Sequence, residues 1–224
     1  TVIVPALSRL QHEPERYRRF FLQMFEVLAL VGFVFTGLCL PLAVPLTITI
    51  LGNNWSAAAS IFAGLSLAAI FVPLTAAASW LYASQGRGSE TVKLSLFVGV
   101  ATVLSLVFGL RFGSVGVAVA FSSSGVLLHM PFTFFLAGRQ GPVSTRDLWK
   151  AFYKHLPICF AVGGVTWTAR VLVSGRPPVQ QLLFCGMFGL LVALVFILVS
   201  PPARKASSLV VANLRQVLVA DAPS

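Results

Sequence analysis

The sequence predicts an all-α integral membrane protein with six transmembrane helices. Hydrophobic residues make up 57% of the 224-residue chain and charged residues only 10%, a composition that cannot give a water-soluble domain its polar coat. Six stretches are long and apolar enough to cross the hydrocarbon core, which takes roughly 20 residues of helix. Lys and Arg collect in alternate connections between these stretches, as expected of a chain that crosses a bilayer repeatedly.

Helices are predicted because a span in lipid must satisfy its own backbone hydrogen bonds. The short alternating segments of a transmembrane barrel are not seen. The fifth span is the weakest, because it is short and contains Thr166, Trp167, Thr168 and Arg170. The predicted single transmembrane domain covers residues 1–224, with spans at 24–46, 57–83, 94–110, 115–137, 156–173 and 179–200 and flanks at 1–23 and 201–224.

The basic residues predict the orientation. Thirteen of the 16 Lys and Arg lie in the two flanks and in the connections 84–93 and 138–155. Arg111, Arg170 and Arg176 lie on the other side. By the positive-inside rule, both termini are cytoplasmic in a multi-pass protein of the bacterial inner membrane. The net charge of +10 predicts contact with anionic membrane lipids, worth about 1 kcal/mol per residue, and no nucleic-acid partner.

Three basic segments are predicted to lie as amphipathic helices in the membrane interface, where they anchor the chain. They are residues 13–23, 144–155 and 204–220. Pro14 suits a first helical position, and Ser144 with Asp147 forms a capping-box pattern.

The cysteines carry no metal or redox signature. Cys39, Cys159 and Cys185 all fall inside predicted spans, where a thiol packs as a small apolar group. Neither metal-ligand spacing nor a disulfide framework is present. We therefore expect no metal and no cofactor.

Four segments together carry a family resemblance. They are PALSRLQHEPERYRRFF (5–21) with Pro5, Ser8 and Arg9; PLTITILGNNWSAAASIFAGLSLAAIF (45–71) with Gly52 and Trp55; WLYASQGR (80–87) with Gly86 and Arg87; and GSVGVAVAFSSSGVLLHMPFTFFLAGR (113–139) with Gly113 and Gly116. In this order they resemble polysaccharide transporters, the oligosaccharide flippases of the multidrug/oligosaccharidyl-lipid/polysaccharide flippase superfamily.

The resemblance implies a carrier and not an enzyme. Such proteins have two six-helix lobes around a central cavity and move an isoprenoid-linked oligosaccharide across the inner membrane for exopolysaccharide or lipopolysaccharide biosynthesis. Other polysaccharide-assembly proteins are implied as further partners. This chain is similar to the last six spans alone, and residues 1–7 read as the end of an earlier apolar segment. We therefore expect the carboxy-terminal part of a flippase.

Four ionisable residues inside or at the ends of spans are candidates for a transport path: His129, Arg170, Glu26 and Arg111. Such groups are costly in lipid and usually face a cavity or a partner. Structural roles compete with this interpretation. Glu26 would pair with Arg19 on the same helix face, the two arginines would reach the outer headgroups, and His129 would hydrogen-bond a neighbouring helix.

Other residues of the spans predict bending and close packing. Pro41, Pro45, Pro73 and Pro131 each remove a backbone hydrogen bond and are candidates for helix bends. Small residues dominate the second span and predict close helix approach. For Ser122, Ser123 and Ser124, packing is favoured over a polar path.

Three other functions stay open. A glycosyltransferase or polymerase of the same pathway would need a nucleophile, a base or metal ligands, but His12, His129 and His155 lie far apart in the sequence and are expected to lack acidic partners. A drug–cation antiporter would need buried carboxylates, and only Glu26 comes near. A truncated chain without activity of its own is the third.

Overall fold

The computed structural model describes residues 3–200, which fold as helices without a strand over that range. The α-helices are α1 Ile3–Arg9, α2 Pro14–Leu51, α3 Ser56–Ser66, α4 Ala68–Ser84, α5 Gly88–Leu110, α6 Gly113–Ser124, α7 Met130–Ala137, α8 Thr145–Leu172 and α9 Pro178–Val199. A 3₁₀ turn, Asn53–Trp55, precedes α3, and a π-helical turn, Gly125–His129, joins α6 to α7. The predicted amphipathic segment 204–220 lies outside the described residues.

Helix α2 is the hub of the bundle. It packs against α3, α4, α8 and α9. Pro14 occupies the first turn, as predicted, but the chain does not break where the interfacial segment 13–23 was expected to meet the span 24–46. The separate interfacial helix is therefore wrong, because the apolar positions of both segments continue one helical face. Gly52 ends α2 with a φ of +89°, a backbone conformation that favours glycine.

The second span is broken. α3 and α4 meet at Leu67 with a bend of 42°, six residues before Pro73. Pro73 lacks the N–H that would bind the carbonyl of Ala69, but it lies inside α4, which continues through it. The bend was predicted at Pro73, and the structure places the break six residues earlier, at Leu67.

Helices α5 and α6 form a tight hairpin because glycines face each other near its turn. A Cβ on Gly116 would lie 2.6 Å from the carbonyl oxygen of Gly109, and one on Gly109 would lie 2.7 Å from Cα of Val117. Gly113 opens α6 with a φ of +72°. The landmark residues Gly113 and Gly116 therefore have a structural role in making this hairpin close.

Helix α8 joins two predicted segments. The interfacial segment 144–155 and the span 156–173 form one 28-residue helix without a break, and the point at which it enters the membrane stays a prediction. The capping box is confirmed. The Ser144 side chain accepts a hydrogen bond from the backbone of Asp147, and the Asp147 side chain accepts one from the backbone of Ser144.

The helices alternate in direction along the chain. α2 runs parallel to α8, as the pairs Arg18–Asp147 and Glu26–Lys154 show, and antiparallel to α3 and α4. The starts of α2, α5 and α8 and the ends of α4 and α7 consequently meet at one end of the bundle, which we call the basic end.

Among the described residues, four helices are long and apolar enough to cross a membrane. They are Pro14–Leu51, Gly88–Leu110, Gly113–Ala137 and Pro178–Val199, and the bent pair Asn53–Ser66 with Ala68–Ser84 makes a fifth if it is counted as one span. α8 is not among them, because charged residues occupy its first half and Thr166, Thr168 and Arg170 its second. The six-span count therefore stays a prediction.

Substitution of Gly32 tests the close packing of α2 against α4. A Cβ on Gly32 would lie 2.4 Å from the carbonyl oxygen of Ala69, a backbone atom that cannot move aside cheaply. We expect Gly32→Ala to lower the free energy of unfolding in mixed detergent by about 1–3 kcal/mol, the usual cost of overpacking. Gly99→Ala is the control, since a Cβ there meets open space and alanine favours helix by up to about 1 kcal/mol. Equal stability of the two variants would contradict this packing.

Candidate functional site

The four candidate residues of the transport path do not converge. Within residues 3–200, no hydrogen bond or ion pair joins any two of Glu26, Arg111, His129 and Arg170. Arg111 lies exposed in the turn between α5 and α6. Glu26 and Arg170 both join α2 to α8, near opposite ends of α8, whereas His129 contacts α4 and α5.

Arg170 donates a hydrogen bond to a backbone carbonyl that lacks its usual N–H donor, because a proline occupies the donor position. Its guanidinium Nη1 donates to the carbonyl oxygen of Pro41 at 2.8 Å. In an unbroken helix the N–H four residues later would bind this carbonyl, but that residue is Pro45. A freed carbonyl within a bilayer must be satisfied by a neighbour, and here α8 supplies the donor to α2. The arginine also lies over the ring of Trp167, 5.8 Å from its centroid.

Glu26 pairs with α8 and not with Arg19, so the pairing predicted from the sequence is wrong. Lys154 Nζ donates to Glu26 Oε1 at 2.7 Å, and His155 Nε2 lies 3.7 Å from Oε2. The pairing follows from the parallel packing of α2 and α8, which places residue 154 beside residue 26. His155 is fully buried, and neither ring nitrogen has a hydrogen-bond partner among the described residues.

This contact also shows that the expectation of histidines without acidic partners is wrong. Glu26 and His155 are 129 positions apart, and helix packing brings them together. Sequence spacing could not have found the pair, because it depends on which helices are neighbours.

His129 lies in the π-helical turn and faces a groove between α4, α5 and α7. The side chain is 3% exposed, and its Nε2 is 3.4 Å from the Thr102 hydroxyl on α5. The predicted hydrogen bond to a neighbouring helix is therefore present. The ring of Phe71 meets the imidazole edge to face at 6.1 Å. The groove has a volume of about 380 Å³, and π-helical turns are frequent at functional sites.

A second groove lies between α5 and α6 and is almost entirely apolar. Its volume is about 870 Å³, and Phe108, Phe112, Val119 and Leu128 are among its lining side chains. Ser105 lines it on α5. A surface of this composition suits the hydrocarbon of a bilayer.

Arg87, one of the resemblance landmarks, closes the end of α7. Its guanidinium donates to the carbonyl oxygens of Leu136 at 2.9 Å, Ala137 at 3.3 Å and Gln140 at 3.0 Å. It also forms an ion pair with Glu90 and lies over the ring of Tyr82. A cation at a helix C-terminus satisfies its last carbonyls and interacts favourably with the helix dipole. Gly86 makes the approach possible with a φ of +68°.

Further polar contacts at the basic end hold α2 against α4 and α8. Tyr17 and Ser84 share a hydrogen bond of 2.6 Å, and Gln85 donates to the Tyr17 hydroxyl at 3.3 Å. Arg18 binds both carboxylate oxygens of Asp147, at 2.7 and 3.0 Å. This guanidinium, together with hydrogen bonds from Ser144, lowers the pKa of Asp147 to about 2.

Ser122 also packs as predicted. Its hydroxyl donates to the carbonyl oxygen of Gly64 on α3 at 2.8 Å. This bond is one place where the close approach expected of small residues is realised, since a Cβ on Gly64 would lie 3.0 Å from that of Ala118.

The other resemblance landmarks lie in α1 and at the far end of α2. Pro5, Ser8 and Arg9 belong to α1, where the Ser8 hydroxyl donates to the Val4 carbonyl oxygen. Gly52 ends α2, and Trp55 is exposed in the 3₁₀ turn, a position suited to a membrane interface.

The comparisons with known proteins find one family. Residues 1–60, which contain α1, α2 and the start of α3, match the model of a family described as "Polysaccharide biosynthesis protein". No curated protein and no solved structure matches the chain. The matched segment contains the landmarks Pro5, Ser8, Arg9, Gly52 and Trp55, and it supports a polysaccharide biosynthesis or flippase-type family for this multi-helix membrane protein.

The bond between Arg170 and Pro41 can be tested by a double-mutant cycle. We expect Arg170→Met to lower the free energy of unfolding by about 1–3 kcal/mol, because the Pro41 carbonyl loses its donor. Pro45→Ala restores a backbone N–H four residues after Pro41. In that background Arg170→Met should cost clearly less. Both would be measured by denaturant titration in detergent, and an equal cost in the two backgrounds would contradict the assignment.

The lowered pKa of Asp147 predicts that its contact with Arg18 weakens in acid. Since its pKa falls from the ordinary 3.8 to about 2 on folding, its stabilising effect is complete above pH 4 and disappears as the pH falls towards 2. The thermal midpoint of the wild type in an acid-stable detergent should drop through this window. Asp147→Asn should be less stable at pH 6 and show a smaller drop, and an unchanged drop would contradict the role of the Arg18 pair.

Proposed function

We propose that this chain forms part of a carrier that translocates lipid-linked oligosaccharide or polysaccharide precursors across the bacterial inner membrane. The observation that carries the proposal is the family match, because it covers all of α2, the hub against which the other helices pack. The four segments that resemble oligosaccharide flippases add to it. The products would serve exopolysaccharide or lipopolysaccharide biosynthesis.

The mechanism is movement of one helix bundle against another around a central site. Prolines in α2 and the break between α3 and α4 supply helices with incomplete backbone bonding, which suits a bundle that changes shape. The orientation has the basic end in the cytoplasm, following the distribution of Lys and Arg. The ligand is an isoprenoid-linked oligosaccharide, which approaches through the surrounding lipid.

A membrane enzyme of the same pathway is less well supported. The pair of Glu26 and His155 brings a base and a carboxylate together, but His155 is fully buried. A catalytic base must come within hydrogen-bond reach of its substrate. Sugar transfer by the purified protein, followed with a radiolabelled donor, would favour the enzyme over the carrier.

A drug–cation antiporter is also less well supported. It would need a carboxylate free to exchange a cation, and Glu26 is already bound to Lys154 at 2.7 Å. A chain without activity of its own remains a third alternative, and the experiment below separates it from the carrier.

Deletion of the gene tests the proposed carrier function. We expect lipid-linked intermediates to accumulate in the inner leaflet, because their sugar headgroups cannot cross the hydrocarbon core unaided. The measurement is the fraction of intermediate that an impermeant glycan-oxidising or lectin probe can reach in spheroplasts. Complementation with the wild-type gene is the control. Normal filling of the outer leaflet in the deletion strain would overturn the proposal.

A further inference from the structure

The groove between α4, α5 and α7 is lined by several polar side chains. Side chains with hydroxyl or imidazole groups line it from three helices, in contrast to the apolar groove between α5 and α6. They are Thr75, Ser95, Thr102, His129 and Thr133. Ser95 and Thr102 lie two turns apart on α5, so the polar groups follow the groove from the middle of the bundle towards the basic end.

Several of these groups retain hydrogen-bonding capacity. Within the described chain, the Ser95 hydroxyl forms no hydrogen bond, and the contact between Thr102 and His129 Nε2 is long at 3.4 Å. The second ring nitrogen of His129 has no hydrogen-bond partner in this range. Unused donors and acceptors inside a predicted bilayer call for a polar ligand.

The lining also limits the charge of that ligand. No Lys, Arg, Asp or Glu is among the described residues that line the groove. A phosphate would require cationic or several convergent donors, and a metal ion would require carboxylates. Hydroxyls and a neutral imidazole both donate and accept hydrogen bonds, which matches an uncharged polyhydroxylated molecule.

Aromatic rings complete the match. Phe71 and Phe121 line the same groove, with centroids 5.9 Å apart and planes tilted by 58°. The C–H face of a pyranose ring packs on the negative face of an aromatic ring. The volume of about 380 Å³ lies at the lower end of small-molecule sites, which suits a single ring.

We propose that the groove between α4, α5 and α7 binds one uncharged sugar unit, with His129, Thr102 and Ser95 as hydrogen-bonding residues and the partly exposed Phe121, backed by the buried Phe71, as the stacking surface. The sugar belongs to the headgroup of a lipid in the half of the membrane nearer the basic end. This inference rests on the proposed carrier function and names the part of the substrate that the carrier holds there.

The test uses the full chain in nanodiscs, with Cys39, Cys159 and Cys185 replaced by alanine and a reporter cysteine introduced by Ser95→Cys. Monoglucosyl diacylglycerol is the probe. At a lipid concentration of four times its dissociation constant, maleimide labelling of the reporter should slow about fivefold. Ser105→Cys is the matched control, because it lies on the same helix in the apolar groove, and its labelling should not change.

Variants of His129 show whether the imidazole takes part. His129→Ala should raise the apparent dissociation constant about tenfold, as expected for a lost hydrogen bond, so that the slowing falls from about fivefold to about 1.4-fold. His129→Gln keeps a donor and an acceptor and should retain protection. Unchanged labelling at Ser105→Cys in both variants confirms that the bundle still folds.

Four outcomes would overturn the proposal. Equal protection by sugar-free diacylglycerol would identify an acyl-chain groove, and protection by phosphatidylglycerol alone would identify an anion site. Disulfide-linked dimers through the Ser95→Cys reporter would identify a contact between two copies. Absence of protection by any lipid would show that the groove is not a lipid-binding site. The gene-deletion experiment would still decide the carrier function separately.

Discussion

In lipid, every backbone N–H and carbonyl group needs a hydrogen-bond partner, and this requirement constrains how the helices of this bundle pack. Its effect is clearest at the prolines, which leave carbonyl groups without a backbone donor. Pro45 frees the carbonyl of Pro41, and Arg170 binds it. Pro73 frees the carbonyl of Ala69, and glycine at position 32 lets α2 approach that oxygen closely. The interruptions at Pro45 and Pro73 therefore both lie against a neighbouring helix. These contacts lie between α2 and its neighbours α4 and α8, and α2 is the helix against which most of the bundle packs.

The same constraint changes how the charged residues of the spans are understood. Arg170 replaces a backbone donor, and Glu26 joins α2 to α8 through Lys154. Arg87, at the basic end, closes α7 by binding its last carbonyls. A charge in a span usually indicates a functional site, but these three have structural partners. His129 differs, because its side chain faces a groove and its second ring nitrogen lacks a partner in the described range.

Much of the helical architecture could be predicted from the sequence. Polar groups are costly in lipid, so helices meant for the bilayer are long and apolar, and the basic residues collect in the connections between them. The capping box of Ser144 and Asp147 is local and was also readable. The partners of Glu26, Arg18 and Arg170 were not, since each lies more than 120 residues away and depends on the parallel packing of α2 and α8. The lengths of α2 and α8 were missed because their amphipathic starts continue into the spans without a break.

We infer that the helices cross the bilayer alternately, including α8, whose polar residues make it the weakest span. Compartment reporters inserted after Asn53, after Arg139 and after Ser174 of the full chain test this inference. We expect the reporters at 53 and 174 outside the cytoplasm and the reporter at 139 inside it. Reporters at 139 and 174 in the same compartment would contradict it, because α8 would then not cross the membrane.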